Sequence, residues 1–113
     1  MENRQLARLL GSLSFEERLR IIGALISAID AGLTQHELAE ITGLSPSAVW
    51  VHLDYMMGND VVRSRTNGLE KIYLANLQLL EDLFIFMNEN YGAGVRLANR
   101  AASMRAKAIA PLS

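Results

Sequence analysis

The sequence predicts a mostly α-helical chain with one small β-hairpin (α+β), and three features carry that expectation. Residues 34–53, TQHELAEITGLSPSAVWVHL, read as two short helices joined by a tight turn, a helix-turn-helix. After residue 60 the hydrophobic period shortens: VVRSRT and LEKIYL flank Asn67-Gly68, a pair that favours a type I′ hairpin turn. On either side of these stretches, apolar residues recur at helical spacing. A hairpin that follows a helix-turn-helix is a wing, so the expected architecture is a winged helix-turn-helix.

In chain order, residues 2–10 form a short helix with Leu6, Leu9 and Leu10 on one side, broken by Gly11. Ser14-Phe15-Glu16-Glu17 reads as a capping box opening a helix over residues 15–31. Its broad apolar face is Leu19, Ile22, Ile26 and Ile29, with Ile21 and Leu25 alongside, and Gly32 ends it. Thr34 and Glu37 make a second capping box, and Gly43 supplies the left-handed residue that closes that helix. Ser45-Pro46 restarts a helix, Ser as N-cap and Pro in the first turn where its missing N–H has no partner to lose. This second helix spans residues 46–57 and stops at Gly58-Asn59-Asp60.

Asn76 caps a long helix ending near Tyr91, and its apolar residues exceed one face. Leu77, Leu80, Leu83, Phe84, Met87 and Tyr91 form one stripe, while Leu79 and Phe86 lie roughly opposite. One stripe can face the chain's own core. The other is buried most simply by the same helix of a second subunit in a two-fold dimer, or alternatively by a folded-back C-terminal segment. Gly92-Ala93-Gly94 interrupts the helix, and an Ala-rich helix bearing Arg96, Arg100, Arg105 and Lys107 follows until Pro111. It is either a solvated tail or a contact to DNA or a partner. The domain division is therefore residues 1–91, the winged helix-turn-helix with its dimerisation helices, and residues 92–113, a basic Ala-rich helix or tail.

A chain of 113 residues, half of them apolar, suits one domain with some apolar surface left for a partner subunit. No apolar run approaches the roughly 20 residues that cross a bilayer. Cysteine is absent, which removes disulfides and thiolate metal ligands, and a cytoplasmic setting fits. The net charge of −1 divides unevenly, since residues 1–60 carry four Arg against eight acids and residues 61–113 carry seven Lys and Arg against four. The C-terminal half is thus the one suited to phosphates.

On the second helix of the motif, Val49, Leu53 and Met56 fall on the core side, with Ser47, Val51 and Asp54 opposite and Ala48, Trp50 and Tyr55 on the flanks. Ser47 can bond a base edge, and Ala48 or Val51 can touch a thymine methyl, whereas the Asp54 carboxylate repels phosphate. No Arg or Lys stands on this helix, so Arg63, Arg65 and Lys71 of the hairpin must supply charge, unless they only keep an exposed strand soluble. The candidate DNA-binding residues are Ser45, Ser47, Ala48, Trp50, Val51, His52, Arg63, Arg65 and Lys71. For Trp50 and His52, packing against neighbours is the alternative role.

The segments LSFEERLRIIGAL, LTQHELAEITGLSPSAVWVHLDYM and VVRSRTNGLEKIYL together resemble the ArsR/SmtB-type winged-helix transcriptional regulators, over roughly residues 6–90. The resemblance implies a homodimer paired through terminal helices, bound to an imperfect palindrome of double-stranded DNA and governed by an effector. Leu6, Leu9, Leu10, Leu80, Leu83, Phe84 and Met87 are the dimerisation candidates. The chain departs from the family's metal sensors. Residues 34–38 lack the cysteine pair of the arsenical sensors, and residues 76–91 hold Glu81, Asp82 and Glu89 but no His. No metal site and no cofactor is expected, which leaves a small-molecule effector, oxidation of the chain's five methionines, or no effector.

The function expected is a dimeric, sequence-specific DNA-binding regulator, a repressor that does not sense metal through Cys or His. The alternative is a winged-helix protein-interaction module using the apolar Trp50-Val51 surface. No nucleophile motif, phosphate loop or metal cluster points to an enzyme.

Overall fold

The computed structural model describes residues 1–109, so the expected stop at Pro111 lies outside the described residues. The elements are α1 (Asn3–Ser12), α2 (Glu16–Ala28), α3 (Gln35–Thr42), α4 (Pro46–Gly58), β1 (Val62–Asn67), β2 (Glu70–Ala75), α5 (Leu77–Met87), a π-helical turn (Asn88–Gly92) and α6 (Ala93–Ile109). The chain is a winged helix-turn-helix, mostly helical with a single two-stranded antiparallel hairpin.

Local chemistry fixes the helix-turn-helix. The Thr34 hydroxyl accepts from the Glu37 N–H at 3.1 Å while the Glu37 carboxylate accepts from the Thr34 N–H at 3.0 Å, closing the capping box. Gly43 ends α3 at φ +76°, and the Ser45 hydroxyl accepts from the Ala48 N–H at 3.2 Å with Pro46 in the first turn of α4. The Gln35 side-chain amide donates to the Pro46 carbonyl at 2.8 Å, which staples the start of α3 to the start of α4. Behind them Leu38, Val49, Leu53 and Met56 meet Ile21 and Leu25 of α2 in the core, all essentially without solvent contact.

Several boundaries differ from expectation. Ser14 does not cap α2; its hydroxyl donates to the Gly11 carbonyl at 2.7 Å, and Phe15 precedes the helix without a side-chain cap. Gly11 lies inside α1, which runs on to Ser12. α2 ends at Ala28, three residues early, because residue 33 is committed elsewhere: Leu33 and Tyr73 exchange backbone bonds of 3.0 and 2.8 Å, an isolated antiparallel bridge beside the wing. The turn at Gly32 (φ +67°) makes that pairing, since a Cβ there would lie 2.5 Å from Ile72 Cγ2 and 2.7 Å from the Tyr73 carbonyl. The hairpin turn is one residue later than the Asn-Gly pair suggests. Asn67 pairs with Glu70, so Gly68-Leu69 form the loop, and of the two only Gly68 has positive φ. That is the sign pattern of a type II′ turn, which needs glycine at its first position only.

Asn76 caps α5 as expected, accepting from the Leu79 N–H at 3.2 Å and donating to the Asp60 carbonyl at 2.8 Å. The α5 stripe is divided differently, however. Leu80 and Leu83 are buried, with Leu79, Phe86 and Met87 packed beside them, while Leu77, Phe84, Ile85 and Tyr91 face solvent. Leu6 and Leu9 of α1 join the same core, and the Tyr91 hydroxyl donates to the Asn3 side chain, tying α1 along α5. Gly92-Ala93-Gly94 does not interrupt the helix: Met87, Asn88 and Ala93 all hold right-handed helical angles. Glycine inside a helix costs about 1 kcal/mol, too little to stop one by itself.

Candidate nucleic-acid interface

α4 stands against the core on Val49, Leu53 and Met56, and this seating decides what it offers outward. Ser45, Ser47, Trp50, Val51, Asp54 and Tyr55 are exposed, with Trp50 at 52% and Val51 at 56%; Ala48 and His52 are half-buried. The exposed side therefore joins a serine hydroxyl to an indole, an isopropyl group and a carboxylate, with no cation. Ser45 has its hydroxyl engaged as the α4 cap, so its acceptor capacity is partly used where α4 begins.

The wing supplies the cations, and each has a partner within the chain. Arg63 meets the Asp60 carboxylate at 3.3 and 3.4 Å. Arg65 donates from one terminal nitrogen to the carbonyls of Asp30 (2.9 Å) and Ala31 (3.3 Å), just past the end of α2, where a cation is favoured by the helix dipole. The Lys71 ammonium lies 5.5 Å from the Tyr73 ring centroid. The pairing of Arg65 with Ile72 and of Thr66 with Lys71 places Arg63 and Arg65 on one face of the ribbon and Lys71 on the other. All three side chains remain exposed, and the Arg65 guanidinium keeps its other N–H groups for an incoming anion.

Behind α4 lies an arrangement that sequence reasoning missed. Arg18 of α2 is only 8% exposed, and its guanidinium carbon sits 4.5 Å from the Phe15 ring centroid and 3.9 Å from that of Tyr55. Its Nε donates to His52 Nδ1 at 3.2 Å, and a terminal nitrogen reaches the Gly11 carbonyl at 3.4 Å. No carboxylate pairs with it among the described residues. The cation thus joins the end of α1, the start of α2 and α4 through two aromatic faces and two hydrogen bonds. His52 accepts through Nδ1, which ties one edge of its half-buried ring to Arg18. A sequence signal existed: Arg18 stands three and four residues before buried Ile21 and Ile22, inside the stripe that faces the core.

The dimerisation candidates separate into two groups. Leu6, Leu9, Leu80 and Leu83 are buried in the chain's own core and offer no surface, because α1 already lies along α5. Leu10 and Phe84 are exposed, at 40% and 58%, and Met87 is half-buried. His36 is exposed and pairs with Glu40 at 3.1 Å one turn on. Among the described residues no group of three or more His, Cys, Asp or Glu gathers for a metal, and no helix is long and apolar enough to cross a membrane.

Residues 18–63 match the family described as winged helix-turn-helix DNA-binding. The chain is similar to the cadmium metal-sensor CMTR from Mycobacterium tuberculosis, with 30% identity, a TM-score of 0.53, and coverage of 61% of this chain and 69% of that one. An ArsR-like transcriptional regulator from a Rhodococcus species superposes with a TM-score of 0.68 and 24% identity, over 96% of each chain. The transcriptional repressor BigR from Xylella fastidiosa gives a TM-score of 0.63 at 19% identity, over 79% of this chain and 88% of that one. No curated protein matches in sequence. These proteins are DNA-binding regulators and not enzymes, and the chain belongs with them to the ArsR-like family of winged helix-turn-helix transcriptional regulators.

Proposed function

We propose that the protein is a cytoplasmic, homodimeric repressor that seats α4 of each subunit in successive major grooves of an imperfect palindrome. The observation that carries this reading is α4 itself. Its core side is sealed by Val49, Leu53 and Met56, and its outer side is bare beside a wing with three cations. Ser47 reads a base edge, Ala48 and Val51 meet thymine methyls, Trp50 lies against the groove wall, and Arg63, Arg65 and Lys71 hold phosphates. The exposed Leu10 and Phe84, together with the half-buried Met87, form the dimer contact. Repression follows from occupancy, since a bound dimer denies polymerase the same DNA.

The regulator does not sense metal through Cys or His. The chain contains no cysteine and two histidines, and both are engaged, His36 with Glu40 and His52 with Arg18. Its effector, where it uses one, is a small organic molecule.

Binding of the purified protein to its own promoter region, measured across a salt series, tests the reading. Three wing cations in each of two subunits give about six phosphate contacts, so log K should fall with log[salt] at a slope of roughly −5. The single tryptophan, half exposed on α4, should change its emission on specific DNA and not on scrambled DNA. A salt-independent complex, or Trp50 emission indifferent to sequence, would instead identify the apolar α4 surface as a protein-binding face.

A further inference from the structure

An acid stands in the middle of the outer side of α4. Ser47, Val51 and Asp54 fall within about 60° of one another around the helix axis, and all three are exposed. Nothing in the chain accounts for a charge there. The residues one turn away on α4, namely Trp50, Val51, Met57 and Gly58, include no cation. Among the described residues no ion pair engages Asp54: Arg63 is taken by Asp60, and Arg65 by the carbonyls of Asp30 and Ala31. Asp54 does not cap α4 either. It lies past the middle of the helix, where the dipole favours the opposite sign. Its charge reaches the wing, where, after burial, it raises the Tyr73 phenol above its ordinary value of 10.0. Beside a duplex this carboxylate is repelled by the phosphates, so it fits only where a base offers it a donor.

We infer that Asp54 is a specificity residue that accepts a hydrogen bond from the N4 amino group of a cytosine in each half-site of the operator; this rests on the DNA reading proposed above. The edges of the base pairs in the major groove lead to cytosine. Guanine shows two acceptors, N7 and O6, and thymine an acceptor and a methyl group, none of which can donate to a carboxylate. Adenine offers its N6 donor, but between its own N7 and the thymine O4, both acceptors. Cytosine N4 has an acceptor on one side only, the guanine O6, and is therefore the donor that a carboxylate meets with least repulsion. The Ser47 hydroxyl both donates and accepts, and Val51 has no polar group, so neither makes this distinction. Against any other base pair the Asp54 carboxylate faces acceptors without a matched donor, which selects against those sequences.

Selection from a random duplex pool, followed by titration of the selected sites, tests the assignment in the full chain. Wild type, Asp54→Asn and Asp54→Ala are compared, with thermal unfolding by circular dichroism showing that each is folded. The wild type should enrich cytosine at one position of each half-site, and changing that base pair should weaken binding about tenfold or more. Asp54→Asn should keep the rest of the site and move this preference to adenine, because an amide matches N6 and N7 together. Asp54→Ala should keep the rest of the site and discriminate less than about threefold at that position. A selected site without the cytosine, or a cytosine preference that survives in Asp54→Ala, overturns the assignment and leaves the DNA reading standing. An Asp54→Ala protein that binds every sequence more tightly by one factor also overturns it, since the carboxylate then acts on phosphates alone. A wild type that enriches no sequence removes the DNA reading and the assignment together.

Discussion

Replacing Arg18 by Met removes the cation that joins α1, α2 and α4 while keeping most of the side chain's apolar bulk. Two effects oppose each other. A buried charge without a carboxylate partner carries a desolvation cost, and an apolar substitute of similar shape can relieve it. Against this, the guanidinium makes two ring contacts, at 4.5 and 3.9 Å, and donates to His52 at 3.2 Å. Each ring contact is worth about 0.5–1 kcal/mol, and a hydrogen bond from a charged donor about 1.5 kcal/mol or more. Phe15 and Tyr55 are themselves half exposed, so the guanidinium sits at the rim of the core and its desolvation is partial. The attractive contacts therefore win, and Arg18→Met should destabilise the fold by about 1.5–2.5 kcal/mol, a fall in Tm of roughly 6–10 °C. Urea unfolding of the wild type, Arg18→Met, His52→Ala and the double variant completes a cycle, in which the Arg18–His52 coupling should be about 1 kcal/mol. Arg18→Lys should recover less than half the loss, because an ammonium cannot lie flat between two rings. An Arg18→Met protein as stable as the wild type, or a coupling indistinguishable from zero, refutes the reasoning.

Three further changes probe the frame that holds the interface. Gly32→Ala combines a positive φ with Cβ contacts of 2.5 and 2.7 Å, one of them to a backbone carbonyl, so thermal unfolding should report a loss of about 2–4 kcal/mol. Ser45→Ala removes the α4 cap and should lower stability by about 1 kcal/mol in the same assay. Burial first, and then the negative charge of Asp54, raise the Tyr73 phenol above its ordinary value of 10.0. Because the folded value is the higher one, the neutral phenol's contribution is present in full below pH 10.0 and is lost as pH rises through the raised value. Unfolding free energy measured from pH 8 to 12 should thus decline more steeply above pH 10 in the wild type than in Tyr73→Phe; equal declines would count against the shift.

What the sequence made legible was what it determines locally. The Thr34–Glu37 box, the Gly43 stop and the Ser45-Pro46 start involve residues a few positions apart, and each formed as expected. The core side of α4 followed from helical spacing alone. Ser14-Glu17 carried the same local pattern and failed, because the Ser14 hydroxyl found the Gly11 carbonyl one turn behind it. The hairpin turn moved by one residue for a similar reason. Local preference favoured Asn67-Gly68, but the register is set by Val62 and Tyr73 entering the core and by Leu33 pairing with Tyr73. A one-residue slip would turn those side chains outward.

The interface residues were less legible than the frame, because their partners lie far away in sequence. Arg65 is held by carbonyls 34 and 35 positions earlier, and Arg18 by a histidine 34 positions later. No spacing rule reports either. Both contacts run to the ends of α2: Arg65 ties the wing to the residues just past its last turn, and Arg18 ties α4 to its first turn. α2 is thereby the common mount of α4 and the wing. A tilt of α2 relative to α1 would carry α4 and the wing together. The Gly11–Arg18 contact is where α1 meets that mount.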